Sequence, residues 1–262
     1  MVTDPVDRKV ALLTNASGYA GPALSRVLAR EGFDQVLHVP AHHHGGPAGE
    51  VEPQRLVDTA RAYDAQVHLL DGVDLTTAEG NQALVQAAFD RFGRLDAACL
   101  VGGVILGGPF LQETGERWER LKHTNLDPVF HGLQAVLAPM VAAGRGQVVV
   151  FTSATGARPE PGASIYSATR ACANALVRAV GLEVAASGVT VNAIGTNFMD
   201  FPGFHAAVGT DDPARRAKLE ARVPARRMGT MEELAEFAIV LLDGRSRFQT
   251  GQFFSYSGGW SP

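Results

Sequence analysis

Residues 10–40, VALLTNASGYAGPALSRVLAREGFDQVLHVP, decide the architecture. Residues 10–14 form a short apolar run, residues 22–31 carry an amphipathic helical pattern, and residues 35–40 return to a short apolar run. Strand, helix and strand in that order make one unit of a parallel sheet, because the helix carries the chain back to start the next strand in the same direction. The pattern continues to the end of the chain. Strands are expected at residues 66–70, 97–101, 147–152, 189–194 and 252–257, with helices at 54–63, 76–92, 163–187 and 231–242. Thr230 followed by Glu233 predicts a capping box at the last of these helices.

Seven strands alternating with helices predict a Rossmann-like, doubly wound parallel α/β sheet with helices on both faces, in one domain over residues 1–262. Such sheets hold ligands beyond the carboxyl ends of the strands, where the strand order reverses. The loops after Leu13, Val101, Thr152 and Ile194 therefore surround the expected crevice.

Composition narrows the field. The chain has 262 residues, 46% of them hydrophobic, which supports a large core, and a net charge of −4 with no dense Lys/Arg cluster argues against a nucleic-acid partner. The N-terminal MVTDPVDRKV lacks a basic region followed by an apolar stretch, so no leader is expected, and the longest uncharged run, around residues 97–112, is broken by glycines and a proline. A soluble, cytoplasmic protein without membrane contact is expected. Cys99 and Cys172 both lie in apolar segments and are expected to be buried, reduced thiols. His42, His43 and His44 precede Gly45, Gly46 and Pro47. Three adjacent histidines cannot all face one ion from a strand or helix, so a solvated loop is expected and no metal site.

The strongest chemical signal is TSATGARPEPGASIYSATRACANAL, residues 152–176. Ser153 stands at the end of a strand, and Tyr166 and Arg170, four apart, share one face of the next helix. Taken singly, the three read as a turn cap, a core aromatic and a solvated charge. Together they resemble the short-chain dehydrogenase/reductase superfamily, which has a Ser thirteen residues before a Tyr-x-x-x-Lys. The lysine is here Arg170. Thr14, Asn125 in HTNLDPVF, VTVNAIG at 189–195 and TGQFFSYSGGW at 250–260 extend the likeness along almost the whole chain. Asn125 matches a catalytic position of the superfamily, but is expected here to bind backbone or water.

In that superfamily the lysine also bonds the nicotinamide ribose, whereas an arginine reliably keeps only the charge beside the tyrosine. A free tyrosine titrates near pH 10, so a base working near neutrality needs about 3 kcal/mol of extra stabilisation of its anion. The superfamily's Thr-Gly-x-x-x-Gly-x-Gly turn falls on residues 14–21, where Asn15 and Tyr19 replace two glycines and Gly21 alone remains in place. The segment HVPAHHHGG offers no ribose carboxylate, and Leu100, Val101, Gly102 and Gly103 stand where Asn-Asn-Ala-Gly is usual.

These departures resemble the halohydrin dehalogenases, a branch of the superfamily without cofactor. The resemblance implies reversible closure of a vicinal haloalcohol to an epoxide, with ring opening by small anions such as azide, cyanide or nitrite. It implies Ser153 as orienting donor, Tyr166 as general base and acid, Arg170 as its cation, and a halide site formed by Tyr19, Thr196, Asn197, Phe198 and Met199. It also implies a homotetramer and a small haloalcohol or epoxide as substrate. Glycines in VGGVILGGPF, residues 101–110, and a chain ending two residues after Trp260 suggest an open pocket. Two other readings stand beside this one: an NAD(P)-dependent short-chain oxidoreductase with an atypical nucleotide turn, and a catalytically silent binding subunit.

Overall fold

Along the first strand, β1 (Lys9–Leu13), alternate side chains face opposite sides: Ala11 and Leu13 enter one apolar layer, and Val10 and Leu12 enter the other. A strand covered on both faces needs an unbroken apolar run, which is what the sequence supplies. The computed structural model describes residues 8–40 and 51–261, so the histidine run and the loop expected there lie outside the described residues. The other strands are β2 (Phe33–Val39), β3 (Val67–Asp71), β4 (Ala97–Leu100), β5 (Gly146–Ser153), β6 (Val189–Thr196) and β7 (Phe253–Tyr256). The helices are α1 (Gly21–Arg30), α2 (Pro53–Arg61), α3 (Ala78–Phe92), α4 (Gly115–Asn125), α5 (Asp127–Ala143), α6 (Ser164–Val184), α7 (Pro202–Val208), α8 (Pro213–Glu220) and α9 (Met231–Leu242).

The strands form one parallel sheet in the order β3-β2-β1-β4-β5-β6-β7. Leu24, Val27 and Leu28 of α1 and Leu234, Ala238 and Leu242 of α9 cover one face. Leu84 and Ala88 of α3, Leu133 and Val136 of α5, and Ala173 and Val177 of α6 cover the other. The order reverses between β1 and β4, and the crevice opens at their carboxyl ends. All seven expected strands form, with ends shifted by a residue or two. The capping box forms too: the Thr230 hydroxyl accepts from the Glu233 amide at 3.1 Å, and the Glu233 carboxylate accepts from the Thr230 amide at 3.0 Å.

Four helices lie outside the expected set for physical reasons. α4, GERWERLKHTN, buries only Leu121 and Asn125, so it has almost no apolar stripe. α5, DPVFHGLQAVLAPMVAA, is apolar nearly all round and contains Pro139, which hides its period. α7 and α8 are seven and eight residues long. By length and composition Gly115–Ala143 would be apolar enough to cross a membrane, but it is α4 and α5 packed against α3 and α6 as part of a layer. Cys99 is buried in β4 as expected, whereas Cys172 is exposed, because it sits on the outward face of α6.

Candidate active site

At the end of β1 the side chain of Thr14 ties two central strands together. Its hydroxyl donates to the Val101 carbonyl at 2.8 Å and accepts from the Val101 amide at 2.7 Å. The turn that follows is bonded partly to its neighbours β4 and β2 and partly within itself. The amides of Thr14, Asn15, Ala16, Gly18 and Gly21 donate to the Cys99 carbonyl, His38 Nδ1, the His38 carbonyl, the Asn15 carbonyl and the Gly18 carbonyl. Asn15 and Tyr19 adopt φ values of 49° and 47°, the left-handed region that the missing glycines would have taken without strain. Gly21 is kept for a different reason: a Cβ there would stand 2.4 Å from the Ala16 carbonyl oxygen.

Tyr19 carries its side chain from the end of β1 across to β6. Its hydroxyl lies 2.5 Å from Thr196 Oγ1, and its ring meets Phe201 edge-on at 5.1 Å between centroids. Burial pushes the Tyr19 phenol well above the ordinary tyrosine range, so the group is neutral; Arg170 opposes the shift.

Ser153 ends β5 directly opposite Thr196 of β6. Its Oγ accepts the Thr155 amide at 3.2 Å, lies 2.9 Å from Thr155 Oγ1 and donates to the Thr196 carbonyl at 3.3 Å. The residue therefore does cap the short turn Ala154–Gly156, at the carboxyl end of β5. Tyr166 and Arg170 lie buried in the first turns of α6, with the guanidinium carbon 5.2 Å from the centre of the tyrosine ring. Arg170 Nη2 donates to the Gly102 carbonyl at 3.2 Å, while Nε and Nη1 are buried without a partner.

Asn125 binds backbone, as expected: its Oδ1 accepts from the Val104 amide at 2.8 Å and its Nδ2 donates to the Val104 carbonyl at 3.1 Å. Gly103, at φ 107°, packs against both side chains, and a Cβ there would stand 2.1 Å from Arg170 Nη2 and 2.3 Å from Asn125 Oδ1.

The loop after β6 departs from its expected form. Thr196 is the last ladder residue of β6, paired with Ser153 and Tyr256, and so belongs to the sheet. Met199 is buried in the apolar core beside Gly229 and does not line the crevice. Asn197 Nδ2 is buried and unpaired. Phe198 joins Phe204 and Trp260 in an aromatic row, with the Arg222 guanidinium 5.0 Å above its ring. Trp260 is itself buried under the Arg158 guanidinium.

His38 is the residue that sequence reasoning passes over. Its signal is present: one polar side chain inside the otherwise apolar run VLHV at the end of a buried strand.

With this geometry in place, the comparisons are specific. A family profile described as enoyl-(acyl carrier protein) reductase matches residues 47–261. The chain is 30% identical over 260 residues to a protein described as a ketoacyl reductase of the monensin polyketide synthase in Streptomyces virginiae, covering 96% of each chain. It is 28% identical over 262 residues to a D-beta-hydroxybutyrate dehydrogenase of Rhizobium meliloti, covering 97% of this chain and 98% of the relative. The crystal structure of acetoin dehydrogenase from Enterobacter cloacae superposes with a TM-score of 0.82 at 26% identity, covering 97% and 96% of the two chains.

These relatives are reductases and dehydrogenases, and they overturn the halohydrin dehalogenase reading together with its lyase class and its epoxide chemistry. The features behind that reading are Arg170 in place of a lysine, the altered turn at residues 14–21, the departures after the second and fourth strands, and the segment at residues 196–199. A serine, a tyrosine and a cation can move a proton at many kinds of alcohol oxygen, so the set does not by itself select a leaving halide.

Proposed function

We propose that the chain, which belongs to the short-chain dehydrogenase/reductase superfamily, is an oxidoreductase that interconverts a small secondary alcohol and its ketone. The observation that carries this reading is the buried pairing of Tyr166 with Arg170 at the start of α6, the helix that follows the strand ended by Ser153. Ser153 orients the substrate oxygen. With Thr155 as donor, Ser153 Oγ accepts its hydroxyl hydrogen and keeps its own hydrogen, held in the structure by a long 3.3 Å bond to the Thr196 carbonyl, as the one it can offer to a substrate oxygen. Tyr166 takes the alcohol proton in one direction and returns it in the other. Arg170 holds a permanent cation against the ring, so the negative charge left on the phenol oxygen is offset inside the site.

The superfamily implies a nicotinamide dinucleotide as hydride partner. Residues 14–21 do not fit its diphosphate as they are folded: at least five amides of the turn are spent within the chain, and the Tyr19 ring fills the crevice. No hydride step is therefore derived. The enzyme is proposed to be soluble and cytoplasmic, with small molecules as its substrates.

The test is a panel of small ketones and secondary alcohols assayed with NADH, NADPH and their oxidised forms. Substrate-dependent change at the nicotinamide absorbance band, abolished by Tyr166→Phe, is expected. No turnover by the native chain or by Tyr19→Gly would overturn the reading.

A further inference from the structure

His38 is 2% exposed and uses both ring nitrogens. Nδ1 accepts the Asn15 amide hydrogen at 3.1 Å, and Nε2 lies 3.1 Å from the Val73 carbonyl. An amide N–H can only donate and a carbonyl can only accept. The form that serves both partners is therefore neutral imidazole with its hydrogen on Nε2. The His38 main chain adds a second tie, since its carbonyl accepts the Ala16 amide at 2.8 Å. One residue of β2 thus takes two consecutive amides of the β1 turn.

That hold is needed because the turn is strained. Asn15 and Tyr19 both lie at positive φ, a region that side chains with a Cβ resist, a tyrosine more than an asparagine. Asn15 repays part of this locally, its Nδ2 donating to the Val101 carbonyl. Tyr19 has no such local bond; its hydroxyl bonds across the crevice to Thr196 and its ring rests on Phe201. The turn is fastened at two ends, by His38 at Asn15 and by Thr196 at Tyr19.

We propose that His38 is the positioning residue of this turn: by accepting the Asn15 amide it keeps residues 14–21 folded on themselves, with Tyr19 latched to Thr196 across the seat that a dinucleotide's diphosphate would take. The closed turn and a bound diphosphate compete for the same amides and the same space. The consequence for nucleotide binding rests on the oxidoreductase reading, whereas the hold of His38 on the turn does not.

Hydrogen exchange of the nucleotide-free protein, read by mass spectrometry, tests the hold directly. His38→Ala is expected to speed exchange in residues 14–21 at least tenfold while exchange in β5 and α6 stays unchanged. His38→Asn, whose Oδ1 can stand near the position of Nδ1, is expected to restore slow exchange. Unchanged exchange in His38→Ala overturns the proposal, and so does faster exchange that His38→Asn fails to restore. A fluorescence titration with NADH and NADPH then reads the consequence. Tyr19→Gly and His38→Ala are expected to bind at least ten times more tightly than the native chain. Native binding as tight as that of Tyr19→Gly overturns the latch and leaves the oxidoreductase reading in place. If exchange behaves as expected but neither variant binds nucleotide, the hold stands and the oxidoreductase reading falls.

Discussion

The guanidinium of Arg170 stands over the ring of Tyr166, 5.2 Å from its centre, and no carboxylate pairs with it among the described residues. A guanidinium that is 4% exposed, with Nε and Nη1 unbonded, is a costly thing to bury. Its place is accounted for if negative charge develops beside it during the reaction, on the phenol oxygen of Tyr166.

Activity and stability should consequently move apart at position 170. Arg170→Met is expected to lower kcat by about 10²- to 10⁴-fold, the usual weight of a general acid–base contribution, while the melting temperature stays level or rises because an unpaired buried charge has been removed. Arg170→Lys should keep part of the activity. Steady-state kinetics and thermal unfolding on the same samples decide the matter. An Arg170→Met enzyme within threefold of the native kcat would remove Arg170 from the mechanism.

Gly103 governs the same pair from the other side. A methyl group there would overlap Arg170 Nη2 and Asn125 Oδ1, and its φ of 107° is one that only glycine takes easily. Gly103→Ala should therefore destabilise the fold by at least about 1–3 kcal/mol and lower kcat by displacing Arg170. Denaturant unfolding gives the first quantity and kinetics the second. A variant with unchanged stability would mean that the loop shifts freely, and that Gly103 does not fix the guanidinium.

The sequence made the sheet legible because each strand is buried on both faces and so announces itself as an apolar run. Ser153, Tyr166 and Arg170 were legible because strand end and helix face are fixed by local pattern. The places of Thr196 at the end of a ladder and of Met199 in the core were not legible, since a strand end and a core side chain cannot be told from loop residues by composition alone. Nor could the chemistry be read from the Tyr19 turn: a proton-moving set with an altered turn is common ground for more than one reaction, and only relatives matched along the whole chain separated them.

Acid should loosen the fold through His38. Burial lowers its pKa from 6.5 to about 4, so the unfolded chain takes up the proton first as pH falls. The contribution is fully present above pH 6.5 and is lost between pH 6.5 and 4, at most about 3 kcal/mol in all. Denaturant unfolding of the native chain and of His38→Asn at several pH values across that window should show the variant losing less. Parallel losses would place the acid sensitivity elsewhere.

The outward faces of the two longest helices point to self-association. On α6 the exposed positions Ala168, Cys172, Ala175, Ala179 and Leu182 recur at helical spacing without a charge, and on α5 Phe130, Gln134, Ala138 and Val141 do the same. A solvated helix face is normally charged, whereas small uncharged side chains let another helix approach closely. The exposed Cys172 falls into place on such a face. We therefore expect α5 and α6 to pair with the same helices of a second copy. Light scattering should give at least twice the 27.7 kDa of the chain. Ala175→Arg, which puts a charge in the middle of the α6 stripe, should reduce that mass while circular dichroism stays unchanged. A native chain that runs as a monomer at micromolar concentration would sink the assignment, and an Ala175→Arg variant of undiminished mass would move the interface to another face.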